Sequence, residues 1–251
     1  MSGHSKWANI KHKKAASDAR KGKIFSKIAR EIMIAARSGG DPASNITLRS
    51  LIQKARAANM PADNVERAIK KGTGELAAEA LEEKMFEGFG PGGISVIVHA
   101  LTDNHNRTTA DVRLIFNRHG ANLAQLGSVS RSFRRKGQIV VDAAKVEEDR
   151  LMEVVLDAGA EDLAREGDRF VVTSEPSAHN NVVEALAKAN IPTESAEITM
   201  VPDLYVSIAD KAQAQTILKF IEALEDLDDV QNVYTNLDLD DALMEQIQSE
   251  G

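Results

Sequence analysis

The sequence predicts an α+β fold in which an N-terminal three-helix domain precedes two ferredoxin-like α+β domains, one inserted into the other. Three observations lead to this expectation. The hydrophobic period changes from helical to strand-like after an acidic, alanine-rich segment at residues 74–83. A strand-helix-strand-strand-helix-strand pattern, the order of a split βαβ fold, occupies residues 137–200. The segments on either side of that pattern each lack a matching half, so we expect them to combine.

Residues 1–74 are predicted to form the helical domain, beginning with a basic arm over residues 1–17. The first helix is expected over residues 18–37, where apolar and basic side chains occupy opposite arcs of the helical wheel. The apolar arc contains Ile24, Phe25, Ile28, Ile32, Ala35 and Ala36. The basic arc contains Arg20, Lys23, Lys27, Arg30 and Arg37. A second helix is predicted over residues 44–59, and Pro61 is expected to open a third one that Gly74 closes.

The next α+β domain is predicted from two separate segments, residues 82–134 and 202–238. Its strands are expected at residues 84–89, 94–102, 126–133, 204–208 and 230–235. Its helices are expected at residues 106–119 and 211–227. Residues 238–251 are expected to form an acidic tail.

The inserted domain is predicted over residues 137–200. Its strands are expected at residues 138–142, 160–165, 169–173 and 193–201, and its helices at residues 147–158 and 177–190. Gly137, Gly167 and Pro192 separate these elements, as turn-forming residues commonly do.

Composition narrows the class of protein. The chain of 251 residues contains no cysteine, so it has no disulfide, no thiol nucleophile and no cysteine-based zinc site. Its longest apolar run, at residues 94–101, is far shorter than the roughly 20 residues of a membrane-spanning helix. No apolar stretch follows the N-terminal lysines, which argues against a signal peptide. We therefore expect a soluble, cytoplasmic monomer that makes no membrane contact.

Charge is divided unevenly along the chain. The net charge is −7, yet residues 1–74 hold sixteen Lys/Arg and five Asp/Glu, a net of +11, and the remainder carries −18. An asymmetry of this size indicates that the basic part meets a polyanion, since rows of cations can bind several phosphates and release counterions. The alternative is a solvated helix face. The candidate nucleic-acid contacts in this segment are Lys6, Lys11, His12, Lys13, Lys14, Arg20, Lys23, Lys27, Arg30 and Arg37.

Further basic residues lie outside the helical domain. Arg107, near a predicted helix start, is a candidate phosphate contact. Arg131, Arg134, Arg135 and Lys136 form a second basic patch at the junction of the two α+β domains, which is either a second polyanion contact or a hinge made soluble by charge. The acidic residues near the C-terminus, including Asp226, Asp228 and Asp229, are expected to be solvated surface.

Two motifs resemble catalytic or cofactor sites without the context such sites need. Residues 88–93 (GFGPGG) satisfy a dinucleotide-binding pattern, but a strand follows them where that site requires a helix, so a hairpin turn is predicted. Asp103 and His105 could belong to a metal-dependent nuclease, whereas helix capping by Asp103, Asn104 or Asn106 is the simpler interpretation. We predict no cofactor, no metal site and no enzymatic activity.

Several motifs together make the chain resemble the YebC/PmpR family, whose mitochondrial relatives are translational activators of cytochrome oxidase. The matching segments are residues 3–14 (GHSKWANIKHKK), 20–37, 57–61 (AANMP), 63–72, 87–93 (EGFGPGG), 102–108 and 127–129. The resemblance implies a three-domain protein with a non-enzymatic role in gene expression. That role is either DNA-binding transcriptional regulation or ribosome-associated RNA binding that helps translation through proline-rich stretches.

This chain departs from the family pattern at Arg131 and Arg134, where an aromatic and an acidic residue are usual. The departure makes the second basic patch more basic than the resemblance implies. The chain also begins at the family motif without a preceding transit peptide, which favours a bacterial-type cytoplasmic member.

Overall fold

A computed structural model describes residues 18–77 and 80–249 of the chain. Three helices come first: α1 (Asp18–Ala36), α2 (Ile46–Ala57) and α3 (Ala62–Thr73). The predicted apolar arc of α1 is confirmed, because Ile28 and Ile32 are buried in a cluster shared with α2 and α3. The predicted helical region therefore has an apolar core of its own.

Gly72 lies where α3 packs against α1. A Cβ at Gly72 would collide with the carbonyl oxygen of Met33 and would lie 2.7 Å from the Cβ of Ala36. We expect Gly72→Ala to lower the free energy of unfolding by about 2 kcal/mol, because overpacking displaces one helix from the other. Chemical denaturation measures this change.

Gly22→Ala is the matched control, since Gly22 is also helical and a Cβ there meets no atom of the described residues within 4 Å. Alanine there should raise the free energy of unfolding by up to about 1 kcal/mol through helix propensity. Destabilisation of similar size by both substitutions would contradict the close approach at Gly72.

The remaining described chain alternates strands and helices. The strands are β1 (Glu82–Phe89), β2 (Ser95–Thr102), β3 (Asn122–Ala124), β4 (Phe133–Asp142), β5 (Ala160–Glu166), β6 (Arg169–Ser174), β7 (Ser195–Pro202), β8 (Val206–Ser207), β9 (Val230–Thr235) and β10 (Leu237–Asp238). The helices are α4 (His105–Arg118), α5 (Glu148–Asp157), α6 (His179–Lys188), α7 (Lys211–Glu225) and α8 (Asp241–Ser249).

The first sheet takes its strands from both ends of this region, in the order β3-β1-β2-β9, with every neighbouring pair antiparallel. Helices α4 and α7 contribute to the buried cluster of this sheet, where the Phe116 and Phe220 rings meet edge to face at 5.1 Å. Pro91–Gly93 forms a short 3-10 turn between β1 and β2, so the predicted hairpin is confirmed at the GFGPGG motif.

One predicted strand of this region is wrong, and another is shorter than predicted and lies outside the main sheet. Residues 126–132 form a loop and a 3-10 turn (Ser130–Ser132), Phe133 already belongs to β4, and the third strand is β3, shortly before the loop. Residues 204–208 contain only β8, which pairs in parallel with β10 outside the main sheet. The loop that replaces the predicted strand is held by the buried Glu87 carboxylate, about forty residues earlier in the chain. A pattern of alternating apolar residues does not reveal such a contact.

The second sheet has the order β5-β6-β4-β7 and is antiparallel throughout. This is the strand order expected for the split βαβ pattern. Helices α5 and α6 supply Leu151, Val155, Val182 and Leu186 to its buried cluster. The chain thus leaves the first sheet after β3, builds the second sheet and returns through α7 and β9. The three-domain boundaries given above stay a prediction.

The predicted acidic tail is also wrong for residues 241–249. They form α8, and the side chains of Leu243 and Met244 are buried against the first sheet's cluster. Clustered acidic residues in the sequence obscured these two apolar positions.

The two sheets meet at a smaller cluster, in which Ile97 of β2 contacts Val129 and Phe133.

Candidate nucleic-acid interface

The predicted basic face of α1 lies against the C-terminal end of α7. Lys23 Nζ donates to the Asp226 carbonyl oxygen at 3.0 Å and lies 3.7 Å from Asp226 Oδ1. Lys27 Nζ donates to the Glu225 carbonyl at 2.8 Å. Arg30, one turn further along α1, donates to the carbonyl of Asp228. Three cations predicted to bind phosphates therefore contact main-chain carbonyls and a carboxylate of the same chain.

The end of α7 attracts cations for two physical reasons. The last carbonyls of a helix have no partner within the helix, and the helix dipole places partial negative charge there. Asp226 and Asp228 add carboxylates immediately beyond the last helical residue. Asp226 and Asp228 are exposed, but their main-chain carbonyls contact α1, so this acidic segment forms part of a junction within the protein.

Asp229 is the centre of this junction, and the prediction that it is solvated surface is wrong: only 5% of the residue is exposed. Arg30 Nη2 lies 3.2 Å from its Oδ1, and Arg107 Nη2 lies 2.7 Å from its Oδ2. The hydroxyls of Thr108 and Thr102 lie 2.7 and 3.3 Å from Oδ2. The carboxylate thus joins the first helix to the strand-helix corner of the first sheet.

The environment of Asp229 favours its ionised form. Burial by itself would raise its pKa, but hydrogen bonds from Arg107 and Thr108 and the charges of Arg30 and Arg107 outweigh that effect and lower the pKa below its usual value. The carboxylate is therefore charged at neutral pH, and it balances two guanidinium groups.

Arg107 and its neighbours have structural roles in this state. Arg107 contacts Asp229 and also Asp103, at 2.6 Å, and these hydrogen bonds raise its pKa. Asn104 caps α4 by accepting from the backbone N–H of Arg107 at 3.1 Å, which confirms the capping interpretation. His105 Nδ1 lies 3.2 Å from the Thr109 hydroxyl. Asp103 and His105 thus take part in local contacts at the start of α4.

Other cations of the helical region remain exposed. Arg49 and Arg56, which are seven residues apart on α2, share one helix face, and Arg67 lies on α3. None of the three forms an ion pair with another residue of the described chain. Arg37 differs, because its guanidinium donates to the Leu81 carbonyl at 2.8 Å. Exposed cations for a polyanion are therefore found on α2 and α3.

The second helix offers little for reading base edges. Asn45, its first polar candidate, caps α2 by accepting from the Leu48 N–H at 3.0 Å. Its amide nitrogen donates to the carbonyls of Ala35 and Gly39, each at 2.8 Å. With both ends of this amide engaged, α2 presents Arg49 and Gln53 without a neighbouring asparagine.

The four cations of the second basic patch differ in their contacts, since two of them form ion pairs with acidic residues. Lys136 contacts Glu161 at 2.8 Å and also Glu175, and these hydrogen bonds raise its pKa. Arg134 pairs with Asp203 at 3.0 Å. Arg131 and Arg135 are exposed and form no ion pair within residues 18–77 and 80–249. These two arginines are therefore the accessible part of the patch.

Glu87, which sequence reasoning missed, shapes the loop that carries Arg131. It is 2% exposed, and its carboxylate accepts backbone N–H groups from Gly127, Val129 and Ser130 at 2.9, 2.7 and 3.0 Å. Burial would raise its pKa, but these bonds outweigh burial and lower it. The only signal in the sequence was an acidic residue between Phe86 and Gly88 inside a predicted strand.

Two adjoining cavities lie between α1 and α3. They have volumes of about 290 and 210 Å³, and Met33 and Lys71 line both of them. Phe25 and Met60 give the smaller cavity an apolar wall, and Arg67 also lines it. They add concave surface next to the exposed cations of α3.

Part of the predicted site lies outside the described residues. Lys6, Lys11, His12, Lys13 and Lys14 precede residue 18, and the structure describes no side chain for Arg20. Of the predicted residues, the structure brings together Lys23, Lys27, Arg30 and Arg107 around the end of α7. It does not join Arg131, Arg134, Arg135 and Lys136 to them through any hydrogen bond or ion pair between described residues.

The fold and charge distribution define a class of protein: a basic three-helix unit attached to two antiparallel α+β units with an acidic excess. The family description "TACO1/YebC protein N-terminal domain" matches residues 5–75, and "TACO1/YebC second and third domain" matches residues 81–237. The chain belongs to the TACO1/YebC family, as the motifs predicted.

Relatives resemble the chain over nearly its whole length. A "Probable transcriptional regulatory protein" of Magnetococcus marinus is 52% identical, covering 98% of each chain. One from Treponema denticola, with the same name, is 53% identical over 95% of this chain and 97% of its own. The crystal structure of a conserved hypothetical protein from Aquifex aeolicus is 46% identical, with a TM-score of 0.80, over 89% of this chain and 93% of that one.

The Magnetococcus and Treponema relatives are named probable transcriptional regulatory proteins, and these names support a regulatory protein. Within the described ranges, none of the helices combines the length and the apolar character needed to cross a membrane.

Proposed function

We propose that the protein is a non-enzymatic, nucleic-acid-binding regulator of gene expression that acts as a monomer in the cytoplasm, with duplex DNA as its partner. One observation carries the proposal: the basic excess is concentrated in the helical region, where Arg49, Arg56 and Arg67 are exposed. Cations on one rigid surface can contact several phosphates of a single nucleic acid. The names of the relatives support transcription as the process.

Binding of this kind depends mainly on phosphates. Phosphate contacts position a protein without selecting a base sequence. Since Asn45 is engaged as a cap, α2 lacks the asparagine that reads adenine in many recognition helices. The basic arm, with Lys6, Lys11, His12, Lys13 and Lys14, adds further cations by sequence alone. Arg131 and Arg135 are proposed as a second contact.

The same observation favours a second candidate, an RNA-binding, ribosome-associated translation factor. A surface that reads phosphates and shape fits structured RNA as well as duplex DNA. Crosslinking in cells, followed by sequencing of both DNA and RNA, distinguishes the two. Enrichment of DNA over RNA is expected for a DNA-binding regulator, whereas recovery of ribosomal RNA without enrichment of DNA would establish the translation factor.

The phosphate-contact model predicts the effect of joint Arg49→Glu and Arg56→Glu substitutions. We expect at least a tenfold loss of affinity for a 20-base-pair duplex. We also expect a fall of about 2 in the salt-dependence slope, because each lost phosphate contact removes about 0.9. Fluorescence anisotropy over a range of salt concentrations measures both quantities.

Joint Arg113→Glu and Arg118→Glu substitutions form the matched control, because both residues are exposed on α4 and the charge change is identical. Equal losses in the two double variants would show that net charge, and not the α2 surface, determines binding. Unchanged affinity in the α2 variant would also contradict the proposed surface.

A further inference from the structure

The cations of α1 hold the end of α7 through the same donors that a nucleic acid would use. Lys23, Lys27 and Arg30 each donate to a carbonyl just beyond or at the end of α7, and two of them also meet carboxylates. We propose that this contact is an autoinhibitory closed state, in which the acidic end of α7 occupies the cationic face of α1 and phosphates compete for it. This inference rests on the proposed function and concerns its regulation.

The end of α7 imitates a polyanion in its chemistry. The α1 cations are spaced three or four residues apart, so they form one stripe along the helix. Opposite the stripe stand the carbonyls of Glu225, Asp226 and Asp228 and the Asp229 carboxylate. A row of phosphates offers the same type of charged oxygen acceptor to the same donors. A phosphate that takes over these contacts must therefore displace the α7 segment.

The contact has the character of one that can open. Among the described residues, the apolar cluster of α1, α2 and α3 contains none from the two sheets, so separation leaves each buried core intact. Lys23 and Asp226 are largely exposed, and ion pairs of this kind contribute little to stability. Polar interfaces within a chain resemble transient protein-protein contacts, for which relative motion is expected. The Arg30–Asp229 pair is more buried and is the firmest part of the junction.

If the duplex engages the α1 stripe only in the open state, the apparent affinity equals the affinity of the open state multiplied by the fraction of molecules that are open. Joint Asp226→Lys and Asp228→Lys substitutions place like charges opposite Lys23 and Arg30, and they leave Asp229 in place. If one molecule in about ten is open in the wild type, the variant should bind a 20-base-pair duplex about tenfold more tightly. Fluorescence anisotropy in low salt measures the change.

The control for added positive charge is the joint Glu153→Lys and Asp157→Lys substitution. Both residues are exposed on α5, which belongs to the second sheet's cluster, and the charge change is the same. The gain expected from the α7 variant is the part that exceeds the gain in this control. An equal gain in both variants would overturn the inference.

A reversible lock tests the closed state directly. The natural chain has no cysteine, so Lys23→Cys with Asp226→Cys introduces one defined pair of thiols. They replace two side chains whose Nζ and Oδ1 atoms lie 3.7 Å apart in the wild type. A short dithiol-reactive crosslinker with an internal disulfide joins the two thiols and is cleaved by a reductant. We expect the crosslinked protein to bind the duplex at least tenfold more weakly than the same protein after cleavage.

The outcomes separate the two proposals. If the wild type binds the duplex but neither the lock nor the α7 charge reversal changes affinity beyond its control, the autoinhibitory contact is refuted and the proposed function stands. If only the charge-reversed or unlocked protein binds, both are supported. If no form of the protein binds duplex DNA or structured RNA of the same length, the proposed function fails, and the inference fails with it.

Discussion

Asp229→Ala should lower the free energy of unfolding by about 3 kcal/mol, because removal of one partner leaves buried or half-buried charges without compensation. The residue is 5% exposed and contacts Arg30, Arg107 and Thr108 through one carboxylate. Its loss leaves Arg30 and Arg107 without the carboxylate they share and removes one link between α1 and the first sheet. Urea denaturation at neutral pH measures the change.

Asp228→Ala is the matched control for Asp229→Ala. It removes the same charge from the adjacent residue, whose side chain is exposed and whose main-chain carbonyl still accepts from Arg30. We expect this variant to lie within about 0.5 kcal/mol of the wild type, as most surface substitutions do. Similar losses for both variants would show that Asp229 acts through general charge and not through its buried contacts.

The pH dependence of the same position can be predicted in sign. The folded state lowers the pKa of Asp229, so the unfolded chain takes up its proton first as the pH falls. The difference in free energy of unfolding between wild type and Asp229→Asn is therefore at its full value above the unfolded pKa of about 3.9. This difference is lost as the pH falls through the lower pKa of the folded state. A difference that persisted at the lowest pH would contradict an ionised carboxylate at this junction.

Glu87→Ala should have an effect of similar size, about 3 kcal/mol, for a different reason. The substitution leaves the backbone N–H groups of Gly127, Val129 and Ser130 without their acceptor, and each unsatisfied group costs about 1–3 kcal/mol. Water can reach part of the loop, which keeps the total below a simple sum. We expect the loop to lose its fixed conformation, and Arg131 with it.

Glu83→Ala provides the comparison for Glu87→Ala, since it removes an exposed carboxylate from the same strand. Its free energy of unfolding should change by less than about 0.5 kcal/mol. Hydrogen exchange adds a local measurement, because the three amides should lose protection in Glu87→Ala only. Retained protection at Val129 would contradict the role assigned to the Glu87 carboxylate.

These two acidic residues explain how the fold positions its cations. Asp229 fixes Arg30 and Arg107, and Glu87 fixes the loop in which Arg131 lies. Neither acidic side chain meets solvent to any large extent. The positions of Arg30, Arg107 and Arg131 are therefore determined by buried carboxylates, and a substitution at either carboxylate should move these cations.

The sequence alone determined the three helices, the split βαβ order of the second sheet and the family. Helical period, strand period and turn residues are local properties, and each is visible within about fifteen residues. The cap of α4 by Asn104 was predictable for the same reason. The uneven distribution of charge was also visible directly, because it requires only counting along the chain.

Only the tertiary structure decided which charges meet. Lys23, Lys27 and Arg30 contact residues about 200 positions away, and no local pattern records such a distant partner. Glu87 likewise accepts from amides some forty residues along the chain, which is why a loop replaces the strand predicted there. A helical wheel identifies a basic face, but whether that face meets solvent or an acidic helix end depends on long-range packing, which brings opposite charges together.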